Sequence, residues 1–237
     1  MAAGSLGRPT MPIATKTFRF APASAQPADA RPRHLFVFLH GNGATAQSMI
    51  PLAFRFQSRF PSAALVVPSG FRAAEADAAL QQWFPMRGLN DDNRLERVNA
   101  ILPRLEDLIR GEQARCGVPP GRTVLIGYSQ GGTVALETAK AVPDLAGAVV
   151  AYSARFARLP QSGASIGSRI HLVHGAHDTI VSRVHAERAA RVLLALRVAV
   201  TLDIVERLGH ALSHEAVCLG SLRLLQGIYE RRRATLH

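Results

Sequence analysis

Val124-Leu125-Ile126-Gly127-Tyr128-Ser129-Gln130-Gly131-Gly132 is an apolar strand-like run that passes directly into a Gly-x-Ser-x-Gly turn and then into a helix-forming segment. A nucleophile elbow requires that context. The turn is so sharp that Ser129 must take a strained backbone conformation, and side chains at positions 127 and 131 would collide across it. Glycine at both positions removes the collision. The serine hydroxyl is then lifted above a sheet at a helix N-terminus, where backbone N–H groups and the helix dipole favour developing negative charge. A chance match on a surface turn would lack the strand before it and the additional Gly132 after it.

Outward from the elbow, strands and helices alternate. Residues 17–20, 34–39 and 64–67 read as strands, and Leu35-Phe36-Val37-Phe38-Leu39 is apolar enough to be buried on both faces. Residues 91–115 carry Leu95, Val98, Ile101, Leu102, Leu105, Leu108 and Ile109 at helical spacing, with Pro103 expected to kink or split the helix. After the elbow come a helix at 130–141, strands at 146–151 and 169–173, a helix at 181–196, a strand at 199–205 and a helix at 214–231. This order predicts an α/β fold, a mostly parallel central sheet with helices on both faces and ligands at the carboxyl ends of its strands. The stretch between Ala151 and Arg169 is too short for a helical cap domain, so an open, shallow site is expected.

A serine hydroxyl needs a base, and the base needs a third group to fix its tautomer. In this kind of sheet the order is Ser, acid, His, each on a loop after its own strand. Ile170-His171-Leu172-Val173 runs into His174-Gly175-Ala176-His177-Asp178, which puts Asp178 at a strand end; the strand at 199–205 runs into Glu206-Arg207-Leu208-Gly209-His210, which puts His210 at the next. Taken singly, Asp178 could cap a helix and His210 could be structural; their arrival in order after successive strands favours catalysis. Asp203 and Glu206 share a strand with the loop of His210 and reach its far nitrogen poorly. His214 comes a helical turn later and His185 lies within a predicted helix. His171 and His174, three apart in a strand, point to opposite faces and oppose a metal site that includes His177.

The oxyanion hole calls for two backbone donors. One is the N–H of the residue after the nucleophile, Gln130; the other is expected from His40-Gly41-Asn42-Gly43, the Gly-rich loop after an early strand, at Asn42. The same loop formally fits a dinucleotide fingerprint, but that needs an acid about 20 residues on, and the end of the next strand offers only Val66-Val67-Pro68-Ser69, with Glu75 the first acid. No Gly-Lys-Ser/Thr follows, which excludes a P-loop. No cofactor and no metal is expected. Trp83, Phe84, Met86 and Leu89 form an apolar group on a non-periodic stretch and are expected to line an acyl channel; packing on the core is the competing reading for each.

Composition agrees with one enzyme domain. The 237 residues are 48% hydrophobic and 19% charged, a globular balance for a chain that needs no disulfide to hold its core. Cys116 and Cys218 lack metal or redox spacing and read as buried free thiols. The net charge of +11 raises nucleic-acid binding. Yet the arginines are scattered apart from Arg231-Arg232-Arg233, and no RNA- or DNA-binding motif accompanies them, so a solvated basic surface is the simpler reading. Residues 1–15 are expected to be a disordered extension, with Met11 an alternative start, and 16–237 a single domain. There is no secretory apolar core and no apolar run of membrane-spanning length, so a cytoplasmic protein without an integral membrane segment, monomeric or homodimeric, is expected.

His40-Gly41-Asn42-Gly43, Trp83-Phe84, Gly127-Tyr128-Ser129-Gln130-Gly131-Gly132, His174-Gly175-Ala176-His177-Asp178 and Gly209-His210 resemble, in order, the signatures of the phospholipase/carboxylesterase family of α/β-hydrolases, which includes the acyl-protein thioesterases. Gln82-Trp83-Phe84 followed by Gly88-Leu89-Asn90-Asp91-Asp92-Asn93-Arg94 is especially similar to the small bacterial esterases of that family. The similarity spans roughly residues 34–225. It implies the α/β-hydrolase fold without a large cap domain, a Ser129–Asp178–His210 triad and an oxyanion hole from the amides of Asn42 and Gln130. The implied function is a serine carboxylesterase acting on small-molecule esters of short-to-medium acyl chains, thioesters included, with lysophospholipase or acyl-protein thioesterase activity as the alternatives. Eukaryotic acyl-protein thioesterases typically carry an acid after Trp-Phe where this sequence has Pro85, so deacylation of proteins does not carry over from the resemblance alone.

Overall fold

The strand His34–Leu39 sends Leu35, Val37 and Leu39 to one face and Phe36 and Phe38 to the other, and all five are fully buried. A strand with two apolar faces must be covered on both, and the rest of the chain supplies the cover. The computed structural model describes residues 16–23 and 31–234; the expected disordered extension at 1–15 lies outside the described residues. In chain order the elements are β1 (Thr17–Phe20), β2 (His34–Leu39), α1 (Ile50–Arg59), β3 (Ala63–Pro68), the short β4 (Arg72–Ala73) and β5 (Gln81–Gln82), α2 (Asp91–Asn99) and α3 (Leu102–Cys116). There follow β6 (Thr123–Tyr128), α4 (Gln130–Ala141), β7 (Ala148–Tyr152), β8 (Arg169–Gly175), α5 (Val184–Ala195), β9 (Val200–Val205) and α6 (His214–Ala234).

Seven strands form one sheet in the order β1-β3-β2-β6-β7-β8-β9, parallel except for β1. α3, α4 and α5 bury their apolar stripes on one face, while α1 and α6 pack on the other with Leu52, Phe56, Val217 and Leu224. This is the α/β-hydrolase fold. Residues 153–168, between β7 and β8, contain no helix or strand, so no cap domain covers the carboxyl ends of the strands there. No helix among the described residues is long and apolar enough to cross a membrane.

One expectation, the split at Pro103, is met, and two local departures from the sequence reading have physical causes. The segment 91–115 is two helices broken at Ala100 and Ile101, because Pro103 has no N–H to give to the first helix and instead opens the second. The helix expected from 181 starts at Val184, because Asp178 Oδ1 takes the N–H groups of Ile180 and Val181 at 3.0 and 2.8 Å and holds them in a turn. α1 had no expectation attached to it: it is ten residues long, with Pro51 in its first turn and Arg55 and Arg59 flanking a narrow buried stripe of Leu52, Ala53 and Phe56.

α6 crosses β7 at Gly220. A Cβ there would stand inside van der Waals contact of the Tyr152 hydroxyl and 2.9 Å from Val150 Cγ1, and Tyr152 is buried with no hydrogen-bond partner for its hydroxyl. Gly220→Ala should therefore lower stability by about 1–3 kcal/mol through overpacking. Tyr152→Phe should raise it by about 1 kcal/mol, because an unsatisfied buried hydroxyl leaves; urea midpoints of the two variants check both signs.

Candidate active site

The β6–α4 turn holds Ser129 at φ 53 and ψ −114, a conformation that few non-glycine residues adopt. Two backbone bonds pin it: Ser129 N–H donates to the Tyr152 carbonyl at 2.9 Å, and the Ser129 carbonyl accepts from Thr133 N–H at 3.0 Å. The glycines act differently from the simple expectation. A Cβ on Gly127 would meet the 131–132 backbone, 2.5 Å from Gly132 N, as anticipated. A Cβ on Gly131 would instead strike the end of β2, 2.5 Å from the His40 carbonyl oxygen, so this glycine lets the elbow dock on the neighbouring strand rather than close its own turn.

β8 and β9 deliver the other two groups. His210 Nε2 lies 2.9 Å from Ser129 Oγ, and His210 Nδ1 lies 2.8 Å from Asp178 Oδ2. Tyr128 stacks its ring near the imidazole, with centroids 5.2 Å apart, and its hydroxyl donates to the His210 carbonyl at 2.8 Å. Burial by itself would raise the Asp178 carboxyl pKa; hydrogen bonds from Val181 N–H, His210 and Ile180 N–H outweigh it and hold the group below the usual carboxylate range. Asp178 is therefore an anion with its second oxygen aimed at the histidine.

The rivals are engaged elsewhere. Asp203 is gripped by Arg223 through both oxygens at 2.7 and 2.9 Å. His185 Nε2 lies 3.3 Å from Arg155, and His214 lies beside Cys218. His171 bonds Thr201 on one side of the sheet while His174 reaches Val181 and Asp178 on the other; among the described residues no group of three or more His, Cys, Asp or Glu could hold a metal ion.

A profile of the phospholipase/carboxylesterase family matches residues 22–219. The chain belongs to the phospholipase/carboxylesterase family. It is 39% identical over 192 residues to the esterase YpfH of Escherichia coli K12, covering 81% of this chain and 82% of that one. It is 29% identical over 177 residues to acyl-protein thioesterase 1 of Saccharomyces cerevisiae, covering 67% and 74%. Among solved structures, esterase PE8 superposes with a TM-score of 0.81 at 24% identity over 90% of this chain and 98% of its own. The Bacillus cereus carboxylesterase gives 0.72 at 18% over 90% and 94%. As a member of this hydrolase family the protein is an enzyme of the serine hydrolase fold.

Within that family frame, the Trp-Phe pair has a position different from the one expected. Trp83 and Phe84 are 0% and 1% exposed and pack in the core, so they present no open wall to a ligand. Their backbone does something else. Gln130 Oε1 accepts from Trp83 N–H at 2.7 Å, Gln130 Nε2 donates to the Phe84 carbonyl at 2.8 Å, and Trp83 Nε1 donates to the His40 carbonyl at 2.8 Å. The pair thus ties the elbow to the Gly-rich loop. Of the four expected lining residues, Met86 is exposed and Leu89 half-buried, on a loop clasped by Arg97, which donates to the carbonyls of Pro85 and Arg87.

Two histidines escaped the sequence reading as site residues. His40 is fully buried, and Gly70 N–H donates to its Nε2 at 2.8 Å, so Nδ1 carries the proton and donates to the Gly41 carbonyl at 2.7 Å. Carbonyl and N–H point opposite ways across a trans peptide, so drawing the Gly41 carbonyl onto His40 turns the Asn42 N–H to the other side. A Cβ on Gly41 would lie 3.1 Å from the Tyr128 ring and 3.6 Å from Ser129 Cβ, which measures how near this loop comes to the serine. His174, buried on β8, donates from Nε2 to the Val181 carbonyl at 2.7 Å and lies 3.2 Å from Asp178 Oδ2. Neither had a signal beyond its place beside a glycine at a strand end.

Burial pushes the imidazole pKa down in His40, His174 and His171, in the last from 6.5 to about 4. Below 6.5 the unfolded chain binds protons that the folded one refuses, so stability is full above that pH and lost as pH falls toward 4. Urea midpoints measured across this window should decline steadily, and His171→Phe should flatten part of the decline.

Proposed function

We propose that the protein is a serine carboxylesterase that hydrolyses short-to-medium acyl esters, and thioesters of the same acids, by a ping-pong route through an acyl-enzyme. The observation that carries this reading is the hydrogen-bonded series Asp178–His210–Ser129, with links of 2.8 and 2.9 Å, at the carboxyl ends of parallel strands. Ser129 attacks the carbonyl carbon as His210 Nε2 removes its proton, and the C=O π electrons move to oxygen. The oxyanion is met by the backbone N–H of Gln130, in the first turn of α4 where no intrahelical acceptor exists, and by that of Asn42. Collapse expels the alcohol or thiol, which takes the proton from His210. Water, deprotonated by the same nitrogen, then releases the acid and regenerates Ser129. Asp178 remains ionised and keeps the imidazole in the tautomer that presents Nε2 as the acceptor.

Substrate range follows from an uncapped site with modest apolar surroundings. Met86 is 37% exposed, and Ile180, whose N–H binds Asp178, is 72% exposed. These two and Leu89 are the residues to which we assign acyl contact. Every group in the mechanism comes from one chain, so a monomer suffices and a homodimer is compatible.

Ser129→Ala should lower kcat/KM for p-nitrophenyl butyrate by about 10⁴-fold or more while the urea midpoint stays near wild type, and Asp178→Asn should lower it by about 10⁴. A wild-type protein that neither hydrolyses this ester nor is labelled at Ser129 by a fluorophosphonate would overturn the proposal. Retention of activity in Ser129→Ala would move the nucleophile elsewhere.

A further inference from the structure

A cavity of about 490 Å³ opens at the other end of the sheet, between the amino ends of β2, β6, β7 and β8 and the inner face of α6. Its size falls within the range of small-ligand sites, and the length of β6 puts it about 20 Å from Ser129. Val124, Ala148, Leu224 and Ile228 give it an apolar floor, and Arg33, Arg122 and Arg169 stand at its wall with no carboxylate among the lining residues. Arg169 is paired with Glu230 at 2.8 Å. Arg33 and Arg122 are exposed and have no ion-pair partner among the described residues. The cavity is therefore an apolar hollow with two uncommitted guanidinium groups, a combination that suits an organic anion with a hydrophobic body.

Its inner wall carries a second, independent mark of a ligand. His171 lines the cavity and is 1% exposed; Nδ1 is 2.9 Å from Thr201 Oγ1, while Nε2, fully buried, has no hydrogen-bond partner. Leaving such an atom unsatisfied costs about 1–3 kcal/mol, and a hydroxyl, which can both donate and accept, satisfies Nε2 in either tautomer of the ring. Gly227 of α6 keeps the space beside it clear: a Cβ there would stand 2.7 Å from Arg169 Cδ and 3.6 Å from His171 Nε2.

We propose that this cavity is a ligand site for a small amphipathic carboxylate, its carboxylate held by Arg33 and Arg122, its chain on Val124, Ala148, Leu224 and Ile228, and a hydroxyl on the chain bonded to His171 Nε2. The site is separate from the esterase centre and does not depend on it. The apolar floor of Val124, Ala148, Leu224 and Ile228 favours an anion with a hydrophobic body over inorganic phosphate.

The test uses full-length protein whose Ser129 has been phosphonylated, so that the active site is closed, and titrates it calorimetrically with 8-hydroxyoctanoate, octanoate and octanamide. The hydroxy acid should bind with Kd below about 1 mM, octanoate more weakly, and octanamide about tenfold or more below octanoate. Arg33→Glu/Arg122→Glu, two exposed positions, should weaken the hydroxy acid about tenfold or more. His171→Phe should bind both acids alike, at the level of octanoate. No binding of 8-hydroxyoctanoate to the phosphonylated wild type, unchanged binding in the double variant, or a hydroxyl preference that survives His171→Phe each overturns the proposal. If Ser129 does not take the phosphonate, the esterase reading falls by itself, and the same comparison on untreated protein still decides the cavity.

Discussion

The backbone of Ser129, at φ 53 and ψ −114, is the constraint around which the rest is organised. A residue held there costs of order 1–3 kcal/mol, and it persists only if its surroundings admit no other conformation. They do so through close backbone approach: β6 must lie between β2 and β7, Gly127 and Gly131 must be bare, and Gly132 must leave room for Ala154. Apart from the local approach of Gly127 to residues 131–132, these contacts join segments distant in sequence. The strained turn is thus a property of the assembled sheet, and its seven strands are the clamp.

Legibility in the sequence followed locality. The elbow, Asp178 and His210 could be assigned because each is a strand end followed by a short loop, a pattern written in consecutive residues, and the structure brings their side chains together. The alternation of strands and helices likewise gave the parallel sheet. The Trp83-Phe84 pair was different. An apolar, non-periodic stretch announces that it will be buried but not against what, and its bonds to Gln130 and His40 span more than forty residues. The same limit hid His174, whose contact with the acid depends on the turn at 178–181, and α1, whose stripe is too narrow to stand out from its arginines.

The excess of arginine also resolves once positions are known. Arg223 neutralises Asp203, Arg19 and Arg115 share Glu112, and Arg94 and Arg155 share Asp91. Several cations are thus structural, spent in pairs and in two-to-one clusters that leave a positive remainder. The paired arginines are local anchors, and Arg33 and Arg122, at the pole away from Ser129, are among those that stand outside such pairs.

The two candidate oxyanion donors, Asn42 and Gln130, lie on segments that would ordinarily fluctuate independently. The Gln130 side chain grips the 83–84 backbone with both ends of its amide, and the Trp83 indole holds the His40 carbonyl. A local opening of either segment must break bonds to the Trp83-Phe84 segment that bridges them, so the two are coupled through it. Bonded to a segment in the core, they are placed to open with the central strands rather than as surface loops. The oxyanion pocket proposed for Asn42 and Gln130 is thereby tied to the core beneath it.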